Sequence, residues 1–199
     1  MRSAYSPLPN RSHGDGNVTD RNAEVIVLAE DLNQFNFTRR YLLQKGYDPH
    51  KIHPHLAPPG QGSAEQYVRE RYPKEVRLHR SRSSHTGAAL VVEIDADMKT
   101  VVQRENELET ALQSAGEHGR EPDEAIVLLI PKRHIETWIL CLLGERVDQI
   151  TDYTSRANVQ QQIRPAAEKF LEWSLPNYRL PDHCVESLQR GLREVRRIP

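Results

Sequence analysis

Residues 89–97 read Ala89-Leu90-Val91-Val92-Glu93-Ile94-Asp95-Ala96-Asp97. An apolar, β-branched run ends abruptly in two carboxylates one residue apart. Such a run suits a buried strand of an α/β sheet, and the carboxyl end of that strand is where these folds place their chemistry. Two acids there suit a hard divalent cation, Mg²⁺ or Mn²⁺, which takes oxygen ligands. D-x-D is a short pattern, so its reading needs context, and a second strand with the same ending supplies it. Glu24-Val25-Ile26-Val27-Leu28-Ala29 is followed at once by Glu30 and Asp31. Residues 33–44 then carry Phe37, Tyr41 and Leu42 close to helical spacing, and Gly46 is placed to end that helix in the left-handed conformation. As neighbours in a parallel sheet, the two strands would bring Glu30, Asp95 and Asp97 to one edge. That arrangement suits metal-assisted chemistry on a phosphodiester.

A glutamate after the first strand, a helix closed by glycine and a later apolar strand ending in D-x-D resemble the Toprim domain. That domain occurs in topoisomerases, bacterial primases, OLD-type nucleases and ribosomal-RNA maturation nucleases. The stretch Ile130-Pro131-Lys132-Arg133-His134-Ile135-Glu136-Thr137-Trp138-Ile139-Leu140 is similar to a P-x-R-x-I-E-x-W segment of small stand-alone Toprim-like bacterial proteins. The run Pro58-Pro59-Gly60-Gln61-Gly62-Ser63 looks like that group too. The resemblance covers about residues 24–143. It implies a small Rossmann-like parallel sheet of four strands and Mg²⁺-dependent cleavage of DNA or RNA. Small Toprim-like proteins often accompany an ATPase encoded nearby, in bacterial defence, and Toprim proteins are often active as homo-oligomers.

By that resemblance Glu30 is the proton shuttle, acting as general acid or base. A carboxylate crowded by two aspartates should also have a raised pKa until a cation arrives. The competing role for Glu30 or Asp31 is to cap the following helix. Asp95 and Asp97 are the expected metal ligands, since residues i and i+2 of a strand share a face. Glu136, one turn into the helix after the fourth strand, is either a further acidic ligand or an acid favoured by the helix dipole. Lys132 and Arg133 are placed to stabilise developing charge on a transferring phosphate. Arg69, Arg71, Lys74, Arg77, Arg80 and Arg82 form a basic run, and Lys99 and Arg104 flank the acidic edge. Arg69, Lys74, Arg77, Lys99 and Arg104 are the candidate nucleic-acid contacts, against the alternative of a solvated helix face. Trp138 falls on an apolar stripe and reads as core.

At 199 residues, with 28% charged residues and a net charge of −1, the chain reads as one ordinary domain with no net basicity. No apolar run approaches the ~20 residues that span a bilayer. The amino terminus lacks the apolar core of a signal peptide, so the expected location is cytoplasmic. Cys141 and Cys184 are then expected to be free thiols.

Residues 1–22 are expected to form a flexible tail, 23–148 the Toprim-like α/β domain, and 149–199 a helical extension packed on it. Expected strands are 24–29, 51–56 (at an edge, because Pro54 cannot donate to a ladder), 88–94 and 125–130. Expected helices are 32–45, a stretch from Ser63 broken or restarted at Pro73 with a short helix at 75–82, 100–115, one from His134, and two within 159–173 and 182–198. This alternation implies a parallel sheet with right-handed crossovers.

Other chemistries fit less well. Asp95-Ala96-Asp97-Met98-Lys99-Thr100 places its threonine one position late for a haloacid-dehalogenase-type phosphatase. A phospho-receiver domain would use Glu30-Asp31, Asp95 or Asp97 and Lys132, but wants five strands where four are clear. A catalytically degenerate Toprim module that binds nucleic acid or a partner stays open. The Gly60–Gly62 turn lacks P-loop spacing, and there is no G-x-S-x-G. His50, His53 and His55 have no cysteine pair to complete a zinc pattern.

Overall fold

The computed structural model describes residues 23–60, 62–156 and 158–198. The expected tail at 1–22 and Gln61 of the glycine turn lie outside the described residues. The fold is α/β. Four strands, β1 (Val25–Ala29), β2 (Ile52–Leu56), β3 (Ala89–Glu93) and β4 (Ile126–Leu129), form an all-parallel sheet in the order β2-β1-β3-β4. Among the described residues six α-helices accompany it: α1 (Leu32–Lys45), α2 (Ala64–Thr86), α3 (Val101–Ser114), α4 (Ile135–Leu142), α5 (Val159–Ser174) and α6 (Glu186–Glu194).

Strand order decides where a site can form. The chain leaves β1 for β2 on one side, then returns across β1 to reach β3 on the other. The order therefore reverses between β1 and β3, and a crevice opens beyond the carboxyl ends of strands at such a switch point. Register pairs Ala29 with Glu93, so Glu30 and Asp95 leave the sheet side by side.

Both faces are covered, as buried apolar strands require. Val25, Val27, Ala29, Ala89 and Val91 pack with Phe37, Tyr41, Trp138 and Phe170 on one face. Leu28, Leu90 and Val92 pack with Val68, Tyr72, Val76, Leu108 and Leu112 on the other. α5 lies against α1 and α4, and α6 against β4, so the carboxyl-terminal helices complete the first core. Phe170 sets its ring edge against Phe37 and Tyr41, with centroids 5.2 and 5.1 Å away. Trp138 is core, and its Nε1 donates to Ser187 Oγ at 2.9 Å. Gly46 ends α1 at φ 99°, a left-handed value that glycine adopts without strain.

Two elements differ from expectation. α2 runs unbroken from Ala64 to Thr86 through Pro73. Proline there removes one backbone bond, but Val68, Tyr72 and Val76 continue a single buried stripe across it and hold the helix to the sheet. The last helix is also shorter than expected, ending at Glu194 with a 3₁₀ turn at Val195–Arg197. Cys141 and Cys184 are unpaired and buried.

Candidate active site

The segment after β3 stays tethered to the neighbouring chain. Ile94 N–H donates to Leu129 O at 3.1 Å and Ala96 N–H to Pro131 O at 2.8 Å. Asp95 is thereby held in line with β3, only 7% exposed. At Asp97 the backbone turns into the left-handed region, φ 51°. The strand alternation that would put Asp95 and Asp97 on one face stops there, which corrects the shared-face expectation. Asp95 points inward, with Oδ2 3.3 Å from His134 Nδ1, while the half-exposed Asp97 carboxylate faces Arg104 Nη2 at 3.3 Å.

Glu30 reaches across the switch point. Its Oε1 accepts the backbone N–H of Asp95 at 2.6 Å. Burial, followed by the nearby Asp95 charge, pushes the Glu30 carboxyl up to about 8. Burial also lifts Asp95 to about 6, although the His134 bond pulls the other way. Asp31 caps α1, with Oδ1 accepting Gln34 N–H at 2.9 Å, and Gln34 Oε1 accepts Glu30 N–H at 2.9 Å. The α1 cap therefore fixes the approach of Glu30.

Glu136 is buried in the first turn of α4, with Asn33 Nδ2 3.5 Å from its Oε1. Its pKa is raised, chiefly by burial. The fully buried Glu93 was not among the expected site residues. Its Oε2 accepts Thr38 Oγ1 at 2.5 Å, and burial drives its pKa well above the usual carboxylate range. Glu93 Oε1 and Asp95 Oδ1 are buried and have no hydrogen-bond partner among the described residues. The signal for Glu93 was visible in the sequence, since residues 93, 95 and 97 form E-x-D-x-D with Glu93 on the same strand parity as Asp95. His134 had no such signal.

The expected basic residues divide. Lys132 Nζ donates to Asp97 O at 3.1 Å and to Lys99 O at 2.5 Å, which pins the loop after β3. Arg133, at φ 78°, turns toward Met98 Sδ at 2.6 Å and Asp152 at 3.9 Å. Arg104 corrects its assignment as a nucleic-acid contact. Only 1% exposed, it donates to Asp95 O at 2.9 Å and pairs with Glu65, Glu107 and Asp97. A guanidinium buried among three carboxylates holds protein parts together and is not presented to a ligand. Lys99 pairs with Glu107, Arg69 with Glu65, and Arg77 with Glu117, while Lys74 is exposed.

The donor set can be tested against a divalent cation. Carboxylate oxygens are what Mg²⁺ and Mn²⁺ take, and Mg²⁺ binds through one or two carboxylates with several waters retained. The orphaned Asp95 Oδ1 and the raised carboxyl pKa values fit a cation that would satisfy one and reverse the other. Among the described residues, however, no three His, Cys, Asp or Glu side chains converge closely enough to hold a metal ion by themselves. The fit is therefore to a water-rich, two-carboxylate site. No helix among the described residues is long and apolar enough to cross a membrane. Comparison with protein-family models, curated proteins and solved structures gives no match.

Proposed function

We propose that the protein is a Toprim-type nuclease that cleaves phosphodiester bonds in DNA or RNA with Mg²⁺ or Mn²⁺. One observation carries this reading: Glu30, with a pKa of about 8, bonded to the backbone of Asp95 at the switch point of a parallel sheet. The resemblance of residues 24–143 to the Toprim domain agrees with it.

Asp95 would hold the ion through its unpartnered Oδ1, and Asp97 would join it by leaving Arg104. When bound, the ion supplies Lewis acidity toward a phosphoryl oxygen and charge neutralisation. Glu30 Oε1 is engaged by the Asp95 N–H, so its proton resides on Oε2, where a pKa near working pH suits both giving and taking it. Lys132 keeps the Asp97 loop in place through two carbonyl oxygens. Arg104 fixes Asp97 and the Asp95 carbonyl from beneath.

The test is incubation with labelled single- and double-stranded DNA and RNA, in Mg²⁺, in Mn²⁺ and in chelator. Cleavage that requires the ion supports the reading. A second reading has its own observation: Arg104 engages Asp97, and no three ligating side chains converge. A catalytically degenerate module would bind nucleic acid or a protein partner equally well in chelator and with Asp97→Asn.

A further inference from the structure

A pocket of about 320 Å³ adjoins the carboxylate edge. Asn33 and Glu136 form the wall nearest the candidate active site, and Arg156, Asn158, Gln160 and Gln161 close the rest. We propose that this pocket holds one nucleotide of the substrate beside the scissile phosphate, with its base read by side-chain carboxamides. The inference rests on the nuclease reading above and adds where substrate selectivity resides.

Four carboxamides in one small pocket are the central observation. Each presents a donor and an acceptor side by side, and that pairing matches the edge of a nucleobase. Glu136 adds an acceptor, as a base amino group requires. Among the described residues Val159 is the one apolar residue in the lining, which disfavours an acyl or lipid ligand. The volume sits at the small end of ligand pockets, large enough for one nucleoside and too small for a duplex.

Arg156 gives the pocket its phosphate-binding charge. It is held 5.7 Å above the Tyr153 ring centroid and paired with Glu145 at 3.1 Å, so its guanidinium is located before a ligand arrives. Asn158, the N-cap of α5, makes no side-chain capping bond, so its carboxamide is not committed to the helix. The larger groove between α2 and α3, about 580 Å³, carries less. Its lining among the described residues holds no carboxamide, and Glu70 and Glu107 stand in it against an anion.

The experiment is calorimetric titration of the full chain with ribo- and deoxyribonucleoside 5′-monophosphates, beside a Gln160→Ala/Gln161→Ala variant. Both glutamines are exposed, so the variant should melt at the wild-type temperature. Preference for one base by about fivefold, lost in the variant with about a tenfold fall in affinity, is the expected result. Equal affinity in both proteins, or no nucleotide bound at about 1 mM, would overturn it. Metal-dependent cleavage with no base preference at the cut, unchanged in the variant, also overturns the pocket while leaving the nuclease intact. Nucleotide binding lost in the variant, with no nucleic acid cleaved, supports the pocket and removes the nuclease reading.

Discussion

Glu30 Oε1 accepts the backbone N–H of Asp95 at 2.6 Å, tying the loop after β1 to the loop after β3. The bond spans 65 residues of sequence and closes the switch point of the sheet. Its consequence is a carboxyl group held among other carboxyl groups, away from water, which is costly for the protein alone and favourable for a cation.

That cost should be visible in the pH dependence of stability. Glu30 titrates near 4.5 when unfolded and near 8 when folded, so the folded state binds the extra proton between those values. Stability from this group is fully present below about pH 4.5 and is lost as pH rises toward 8. Glu30→Gln keeps an acceptor for the Asp95 N–H and removes the charge. In chelator it should melt near the wild-type temperature at pH 4.5 and about 4 °C or more above it at pH 8.5. Thermal melts across that range decide it; parallel curves for the two proteins would contradict the account.

Divalent ions should act in the opposite direction. Carboxylates must lose their protons to take a cation, and Asp95 titrates near 6. Mg²⁺ at about 100 times its Kd should raise the melting temperature by about 5 °C or more at pH 8. At pH 5 the gain should nearly vanish. A gain of equal size at both pH values, or one reproduced by NaCl at matched ionic strength, would rule out binding at these carboxylates.

Arg104 joins α3, the start of α2 and the loop after β3 in one buried ion-pair group. Lysine keeps the charge but not the fork that reaches four acceptors. Arg104→Lys should lower stability by about 2 kcal/mol or more. Because Asp97 loses its anchor, Mn²⁺ affinity should also fall about tenfold or more. Denaturant melts and Mn²⁺ titration followed by electron paramagnetic resonance measure the two effects. Wild-type Mn²⁺ affinity in the variant would show that Asp97 needs no anchoring.

Much of this was legible in the sequence, for a physical reason. Strands buried on both faces are continuous apolar runs, so those ending at Glu30 and Asp95 mark their own carboxyl ends. The edge position of β2 followed from Pro54, which pairs with Val27 on the strand's single occupied side. Other features depend on tertiary contacts. Pro73 reads locally as a break, yet Val68, Tyr72 and Val76 continue across it at helical spacing, and packing outweighs the lost bond. Arg104 reads as a charged surface residue by type. Its position between Val101 and Leu108 on the buried stripe was the available clue. The left-handed turn at Asp97 and the approach of His134 to Asp95 leave no local pattern, because residues distant in sequence impose them.

The contact between α6 and α4 gives a prediction independent of the active site. A Cβ on Gly191 would lie 2.3 Å from the Trp138 ring. Trp138 is fully buried and bonded to Ser187, so it cannot yield cheaply. Gly191→Ala should destabilise by about 1–3 kcal/mol, a fall of roughly 3–10 °C. An unchanged melting temperature would mean that α6 is not seated on Trp138.

The most direct test of the central claim is the single-turnover cleavage rate of labelled nucleic acid in Mg²⁺, compared between the wild type and Asp95→Asn. Asparagine preserves the backbone N–H that Glu30 accepts and removes the carboxylate charge from the switch point. The account predicts cleavage by the wild type that chelator abolishes, and a rate about a hundredfold or more lower in Asp95→Asn. Wild-type rates in the variant, or cleavage that persists in chelator, would contradict it.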